Sequence, residues 1–438
     1  MNARSIQRIK FTGPLALAIG ALPFSIALCH FALIVFGIIW LADGHWKVKW
    51  EAIVKNPIVL IFSLFFLLHL FGIIYSMDKQ IAWFNIEKKI SLFAVPIMLA
   101  SITLKKEDVK KLFRVFLITC LVATLVCLGV AFRKAYLVSP TFNFDSYGNF
   151  SFYSFNPQAS NIWMFISYIE LASGIGMHPA YLSLYLSFCV LLILHFYLPS
   201  FAEFTRLKKV LLMALLLYLG IFILFLSSRI MIFAFLVISL YGLNQFLKAT
   251  PPLIRLMSSL IFIFLFSSAV YLNPVSRFRS YQEVISTWPY IKPGLQTQST
   301  TIRASLWSVS VKSISKTNWL FGVGTGDVQH LISETSESNN VSNILRTNDP
   351  HNQYLHTLLG LGALGLSTLL ICFAWPALIS YKTGNYLYLG FIFLFSILCL
   401  TETAMELQKG IIFYSLFNSL ILFHYKPAQA ISFKLVNV

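Results

Sequence analysis

FTGPLALAIGALPFSIALCHFALIVFGIIWLA, residues 11–42, contains no Asp, Glu, Lys or Arg. A helix needs about 20 apolar residues to cross the hydrocarbon core of a bilayer. This stretch is too long for one crossing and reads as two helices folded back near Pro23. Similar runs follow at roughly 56–75, 88–102, 112–132, 178–198, 210–226, 230–247, 257–272, 353–379, 385–400 and 410–424. With the first pair they predict an all-α polytopic membrane protein of about twelve transmembrane helices. The runs are continuous rather than alternating, which argues against a β-barrel. Charged residues are 11% of the 438, against about 25% in soluble domains. Together with a mean hydropathy of +0.76, this excludes a soluble enzyme, a disordered chain and a secreted disulfide scaffold.

Charge sets the expected topology. Arg4, Arg8 and Lys10 precede the first apolar stretch, which is too long for a signal peptide and reads as a retained helix pair. With that end inside, Lys47, Lys49 and Lys55, the cluster from Lys105 to Arg114, Arg206 with Lys208 and Lys209, Lys248 with Arg255, Lys382, and Lys426 with Lys434 all fall in short inside segments. This obeys the positive-inside rule and puts both termini in the cytoplasm. The formal net charge of +17 is then mainly a topology signal, and nucleic acid is not expected as a partner. Cys29, Cys120, Cys127, Cys189, Cys372 and Cys399 lie in apolar runs without CxxC spacing, so they read as small buried hydrophobes.

The chain divides into residues 1–272 with an outside loop at 133–177, a large outside loop at 273–352, and residues 353–438 carrying the last helices and a cytoplasmic tail. The first loop holds the aromatic stretch SPTFNFDSYGNFSFYSFNPQ, suited either to stacking on sugars or to lying at the membrane interface. In the second, Thr301–Ile314 reads as an amphipathic helix with Ile302, Leu306 and Val309 roughly at helical spacing and Arg303 near its start. Gly322-Val323-Gly324-Thr325-Gly326 follows. No strand–helix unit surrounds it, so it reads as a tight turn needing positive φ rather than a dinucleotide loop. Glu334 and Glu337 stand in a polar stretch that reads as a solvated tip, and no carboxylate pair there requires a divalent metal.

Asn348-Asp349-Pro350-His351-Asn352 marks the return to the membrane, with a helix expected at or just after His351. Burial and a helix N-terminus would keep that ring neutral, as a general base requires. His351 reads equally as a helix cap or a core histidine. His356 is rotated away and reads as a packing residue. Ser227-Ser228-Arg229 forms a short outer turn, where an arginine is costly unless it is paired, snorkelling or functional. Arg229, Arg303 and His351 thus fall on one face. Guanidinium groups recognise phosphate oxygens in bidentate fashion, which suits a lipid-linked diphosphate.

His351 and Asn352, nine residues, then Gly362-Ala363-Leu364-Gly365 resembles the motif of the O-antigen ligase and polymerase superfamily. Arg303 with Trp307, then Gly322-Val323-Gly324, resembles the stretch before it, and Ser228-Arg229 the family's outer-turn arginine. The likeness covers roughly 225–370. It implies a glycosyltransferase type C-like fold in the bacterial inner membrane with a periplasmic active site. It further implies metal-independent transfer of a glycan from undecaprenyl diphosphate to a hydroxyl, without a cofactor. Arg229 and Arg303 would bind the diphosphate and His351 would activate the acceptor. Asp349, Asn352 and His178 are secondary candidates, and His178 also reads as a helix cap. O-antigen transfer to lipid A–core is the leading expectation and polymerisation of lipid-linked repeats the alternative. A lipid or polysaccharide transporter is the competing class. It is disfavoured because the apolar runs look nearly free of charge, with Glu170, Glu402 and Glu406 near their ends.

Overall fold

The computed structural model describes residues 3–138, 162–277, 279, 299–338 and 349–425. Among them every regular element is helical, and the one β-type pairing is an isolated bridge between Asn318 and Gly322. The opening apolar stretch folds back as expected: α1 (Ala3–Ala21) and α2 (Ile26–Ala42) meet at a turn holding Pro23. Ser25 caps α2 by accepting from the Leu28 amide at 3.2 Å. The chain continues through α3 (Trp46–Val54), α4 (Pro57–Tyr75), α5 (Lys79–Ala100), α6 (Lys106–Val138), α7 (Ile162–Phe165), α8 (Tyr168–Ser173) and α9 (Pro179–Tyr197). Then come α10 (Arg206–Leu226), α11 (Arg229–Phe246), α12 (Pro252–Leu272), α13 (Pro274–Arg277), α14 (Ser299–Ser313), α15 (Val328–Ser338), α16 (Gln353–Lys382), α17 (Tyr386–Leu398) and α18 (Gln408–Ser419).

A helix stands at each expected crossing. Seven of them are long and apolar enough to span a bilayer: α4, α6, α9, α10, α11, α12 and α16. The α2–α3 pair, bent by 116°, makes an eighth if counted as one broken span. The expected twelve exceeds this by four: α17 and α18 have only 13 and 12 residues, α5 carries Lys79, Glu87, Lys88 and Lys89, and α1 carries Arg4, Arg8 and Lys10. All six cysteines are buried and free, as their apolar settings implied.

The chain forms two compact units. The first comprises Met1–Phe116 and Lys292–Val438. In it α4 packs on α5 and α16, and α18 packs on α5. Aromatic rings fill the core, Phe395 with Tyr414 and Phe116 with Phe417 each at 4.6 Å between centroids. One expectation fails here, because the interior is not free of charge. Lys89 on α5 is buried and pairs directly with Glu406. Gln353 donates to the same carboxylate at 3.2 Å, and His356 Nδ1 lies 3.3 Å from it. Glu406 follows α17, and only tertiary packing brings it to a lysine more than 300 residues earlier.

The glycine-rich turn takes its shape from packing on backbone. Gly322 and Gly324 have φ of +74° and +107°. The Val323 and Gly324 amides donate to the carbonyls of Leu359 and Gly360 at 2.9 and 2.8 Å. In return the Ala363 and Leu364 amides donate to Trp319 and Leu320. This exchange needs a break in α16, which falls at Gly362, φ +63°. The Asp327 carboxylate then accepts from the Met77 and Asp78 amides at 2.6 and 2.9 Å, fastening the turn to the start of α5. The tight-turn reading therefore holds.

The amphipathic helix expected at Thr301–Ile314 is α14. Leu306 and Val309 bury against Val328, Leu331 and Ile332 of α15. Glu334 and Glu337 are exposed, as a solvated stretch implies, but they lie on the outer face of α15 rather than at a loop tip. Val328, Leu331, Ile332 and Thr335 follow helical spacing and are buried, a pattern legible in the sequence but hidden by its serines and glutamates.

The second unit, Leu117–Ile291, is built on α9, which is buried along most of its length and packs against α10 and α11. No described residue of α12 is buried, as suits a helix facing lipid. The loop expected from 133 begins later, since α6 runs to Val138 and Lys134 on it pairs with Glu170 of α8 at 2.8 Å. The aromatic stretch 139–158 lies outside the described residues.

Candidate active site

In the first unit, Asn352 caps α16 by accepting from the Tyr354 and Leu355 amides at 3.0 and 3.1 Å. His351 lies one residue before that cap, in the left-handed region, φ +46°. Non-glycine residues rarely adopt this conformation, and it needs support from its surroundings. Asp349 supplies that support. Its carboxylate accepts from the His351 amide at 2.9 Å and from the Thr403 hydroxyl. Asp349 and Asn352, secondary candidates from the sequence, thus hold the turn that presents His351.

The segment joining α17 to α18 forms the opposite wall. Gln353 clasps it twice: its amide donates to the Cys399 carbonyl at 2.8 Å, and its Oε1 accepts from the Met405 amide at 2.7 Å. Glu402, buried between these fixed points, extends one carboxylate oxygen to Arg303 Nη2 at 2.6 Å. Its other oxygen lies 3.8 Å from His351 Nδ1, and Asp349 Oδ1 is 3.5 Å from the same nitrogen. Arg303 and His351, 48 positions apart, therefore meet at a shared carboxylate.

Burial alone would lower the His351 pKa. The nearby carboxylates of Glu402 and Asp349 outweigh both burial and the opposing charge of Arg303, so the pKa is raised. The expectation of a ring held neutral is thus corrected. It assumed burial at a helix start and had no acidic neighbour in view. Glu402 is the residue the sequence reading missed. A signal existed: in TETAMELQ, Glu402 and Glu406 are two carboxylates four apart, with Lys409 the one other charge between Tyr386 and Tyr425.

Glu406 belongs to the same wall. Burial pushes its carboxyl up, but Lys89, with His356 and His69 in support, brings it down to about 2. His356 thus serves the interior, as its rotation away from His351 implied.

Arg229 belongs to the second unit. Ser227 ends α10 with φ +50°, and Arg229 opens α11 with Nη1 donating to the Arg279 carbonyl at 3.3 Å. His178, also in this unit, caps α9: its Nδ1 accepts from the Ala180 amide at 3.4 Å, with Pro179 in the first turn. That geometry agrees with the cap reading. Among the described residues no group of three His, Cys, Asp or Glu is placed to hold a metal ion.

Residues 213–370 match the family described as O-antigen ligase. The chain carries an O-antigen ligase family domain. The domain spans Arg229, Arg303, His351 and the glycine exchange between 319–324 and 359–364, and it ends before Glu402. Together with the apolar helices, the match supports a membrane protein related to the O-antigen ligases. No curated protein matches the chain.

Proposed function

We propose that this protein is a glycosyltransferase that moves a glycan from undecaprenyl diphosphate to a hydroxyl acceptor at the periplasmic face of the inner membrane, with lipid A–core as the acceptor. The observation that carries the reading is the meeting of Arg303, Glu402 and His351 at the mouth of a membrane helix, inside an O-antigen ligase family domain apart from Glu402.

In the reaction, His351 takes the proton of the acceptor hydroxyl as its oxygen bonds to the sugar's anomeric carbon. The bond from that carbon to the diphosphate breaks, and the diphosphate leaves with the electron pair. Glu402 stabilises the imidazolium that forms and orients the ring. Arg303 gives one arm to Glu402 and keeps further N–H groups of its fork for phosphate oxygens. Arg229 retains the diphosphate-binding role that the family resemblance implies. Neither metal nor cofactor is assigned to a step. The buried Lys89–Glu406 pair is closed by its own partners, Gln353 and His356, and reads as a structural strut rather than part of a transport path.

The test is a reconstituted reaction of purified protein with undecaprenyl-diphosphate glycan and lipid A–core. Glycan on lipid A–core with wild type and none with His351→Ala supports the ligase. Lengthening of the lipid-linked glycan identifies the polymerase instead. Unchanged substrates under all conditions would remove the transferase reading.

A further inference from the structure

Arg279 was not singled out by any sequence pattern. It lies in the second unit and is only 5% exposed. Its guanidinium carbon sits 3.4 Å from the centre of the Tyr168 ring, and its Nε donates to the Ser227 carbonyl at 3.2 Å. Its own carbonyl accepts from Arg229 Nη1. No carboxylate pairs with it among the described residues.

A buried cation without a counter-charge is costly. Stacking on an aromatic face returns part of the cost, and one carbonyl contact satisfies only one of five N–H donors. The Arg229 guanidinium reaches the same turn through the Arg279 carbonyl. The remaining N–H groups of the Arg279 fork suit an anion.

The backbone around it is specialised. Ser227 and Tyr168, which flank the Arg279 side chain, both have left-handed φ, +50° and +49°. Ser227 is further tied to Ser276 at 3.1 Å, and Ser276 donates to the Leu224 carbonyl at 2.7 Å. The end of α10, the start of α11 and the chain just after α13 are thereby locked together, and the lock sets two arginines side by side.

We propose that Arg279 is a second anion-binding arginine of the Arg229 turn, and that the pair takes the diphosphate of a membrane lipid. The inference rests on the donor reading given above and adds a residue to it. The recognised chemistry is a phosphate group on a lipid. The donor diphosphate is preferred over a single phosphodiester because two guanidinium groups match its higher charge and its two phosphoryl units.

The experiment is a binding titration of the full chain in phosphatidylcholine nanodiscs, with undecaprenyl diphosphate as probe and phosphatidylglycerol as competitor. Arg279→Gln should weaken the probe about tenfold or more, the loss of a bidentate charged contact. Arg279→Lys should fall between, keeping the charge but not the fork or the stack. Melting temperature without probe controls for folding; if Arg279→Gln does not fold, Arg279→Lys decides. Probe binding unchanged in both Arg279 variants but lost in Arg229→Gln overturns the proposal and leaves the donor reading standing. No binding by wild type overturns both. Equal weakening of phosphatidylglycerol and probe makes this a general anionic-lipid site and overturns the diphosphate assignment.

Discussion

At the residue scale, chemistry turns on His351 and the carboxylate behind it. The ring must be neutral to accept a proton, and its pKa is raised above the usual 6.5. Transfer should therefore rise with pH through a midpoint above 6.5, read from a kcat profile. Glu402→Gln removes an acidic neighbour and releases Arg303, and both changes favour the neutral ring. The midpoint should move to lower pH while the rate falls; an unmoved midpoint would mean that Glu402 does not act on the histidine. Arg303→Lys should lose at least about tenfold in kcat/KM, because an ammonium cannot serve a carboxylate and a phosphate in one plane. The arginine and the histidine were legible in the sequence as residue types suited to phosphate and proton. Glu402 was not, because its role depends on Gln353 drawing residues 399–405 against the start of α16.

At the element scale, the family glycines are explained by contact of backbone with backbone. A Cβ on Gly322 would strike the backbone of Leu359 and Gly360, and one on Gly362 that of Leu320 and Phe321. Both positions also have positive φ. Gly362→Ala should destabilise the protein by about 1–3 kcal/mol from strain alone, with the clash in addition. Thermal unfolding in detergent is the measurement. Asp327→Asn removes the charge that two backbone amides share and should cost about 1.5–3 kcal/mol. Membrane-helix positions were readable from the length of the apolar runs. The break at Gly362 was not, since a Gly-Leu-Gly-Ala-Leu-Gly run fits close helix packing just as well as a kink.

At the scale of the whole molecule, the buried Lys89–Glu406 pair joins α5 to the segment that carries Glu402. Glu406 has its pKa depressed from 4.5 to about 2, so its contribution to stability is complete above pH 4.5 and disappears as pH falls through 2. The melting temperature should drop across that window. Lys89→Met alone leaves a buried unpaired carboxylate and should cost about 3–5 kcal/mol, while Lys89→Met with Glu406→Gln should recover much of it. Sidedness has its own check. The native cysteines are all buried, so a cysteine placed at exposed Ser308 on α14 should react with an impermeant thiol reagent from the periplasmic side alone. Labelling only from the cytoplasm would reverse the proposed orientation.

Membrane class, helix positions and the choice of Arg229, Arg303 and His351 came from sequence by itself. Apolar run length is a local property, and charge at the membrane surface is rare enough for single residues to stand out. The tertiary structure alone decided the rest: Glu402 between Arg303 and His351, the raised histidine pKa, the charge pair inside the first unit, and Arg279 stacked on Tyr168. Each depends on groups from 48 to more than 300 positions apart, and no local pattern encodes which distant charge will lie within a few ångströms of another.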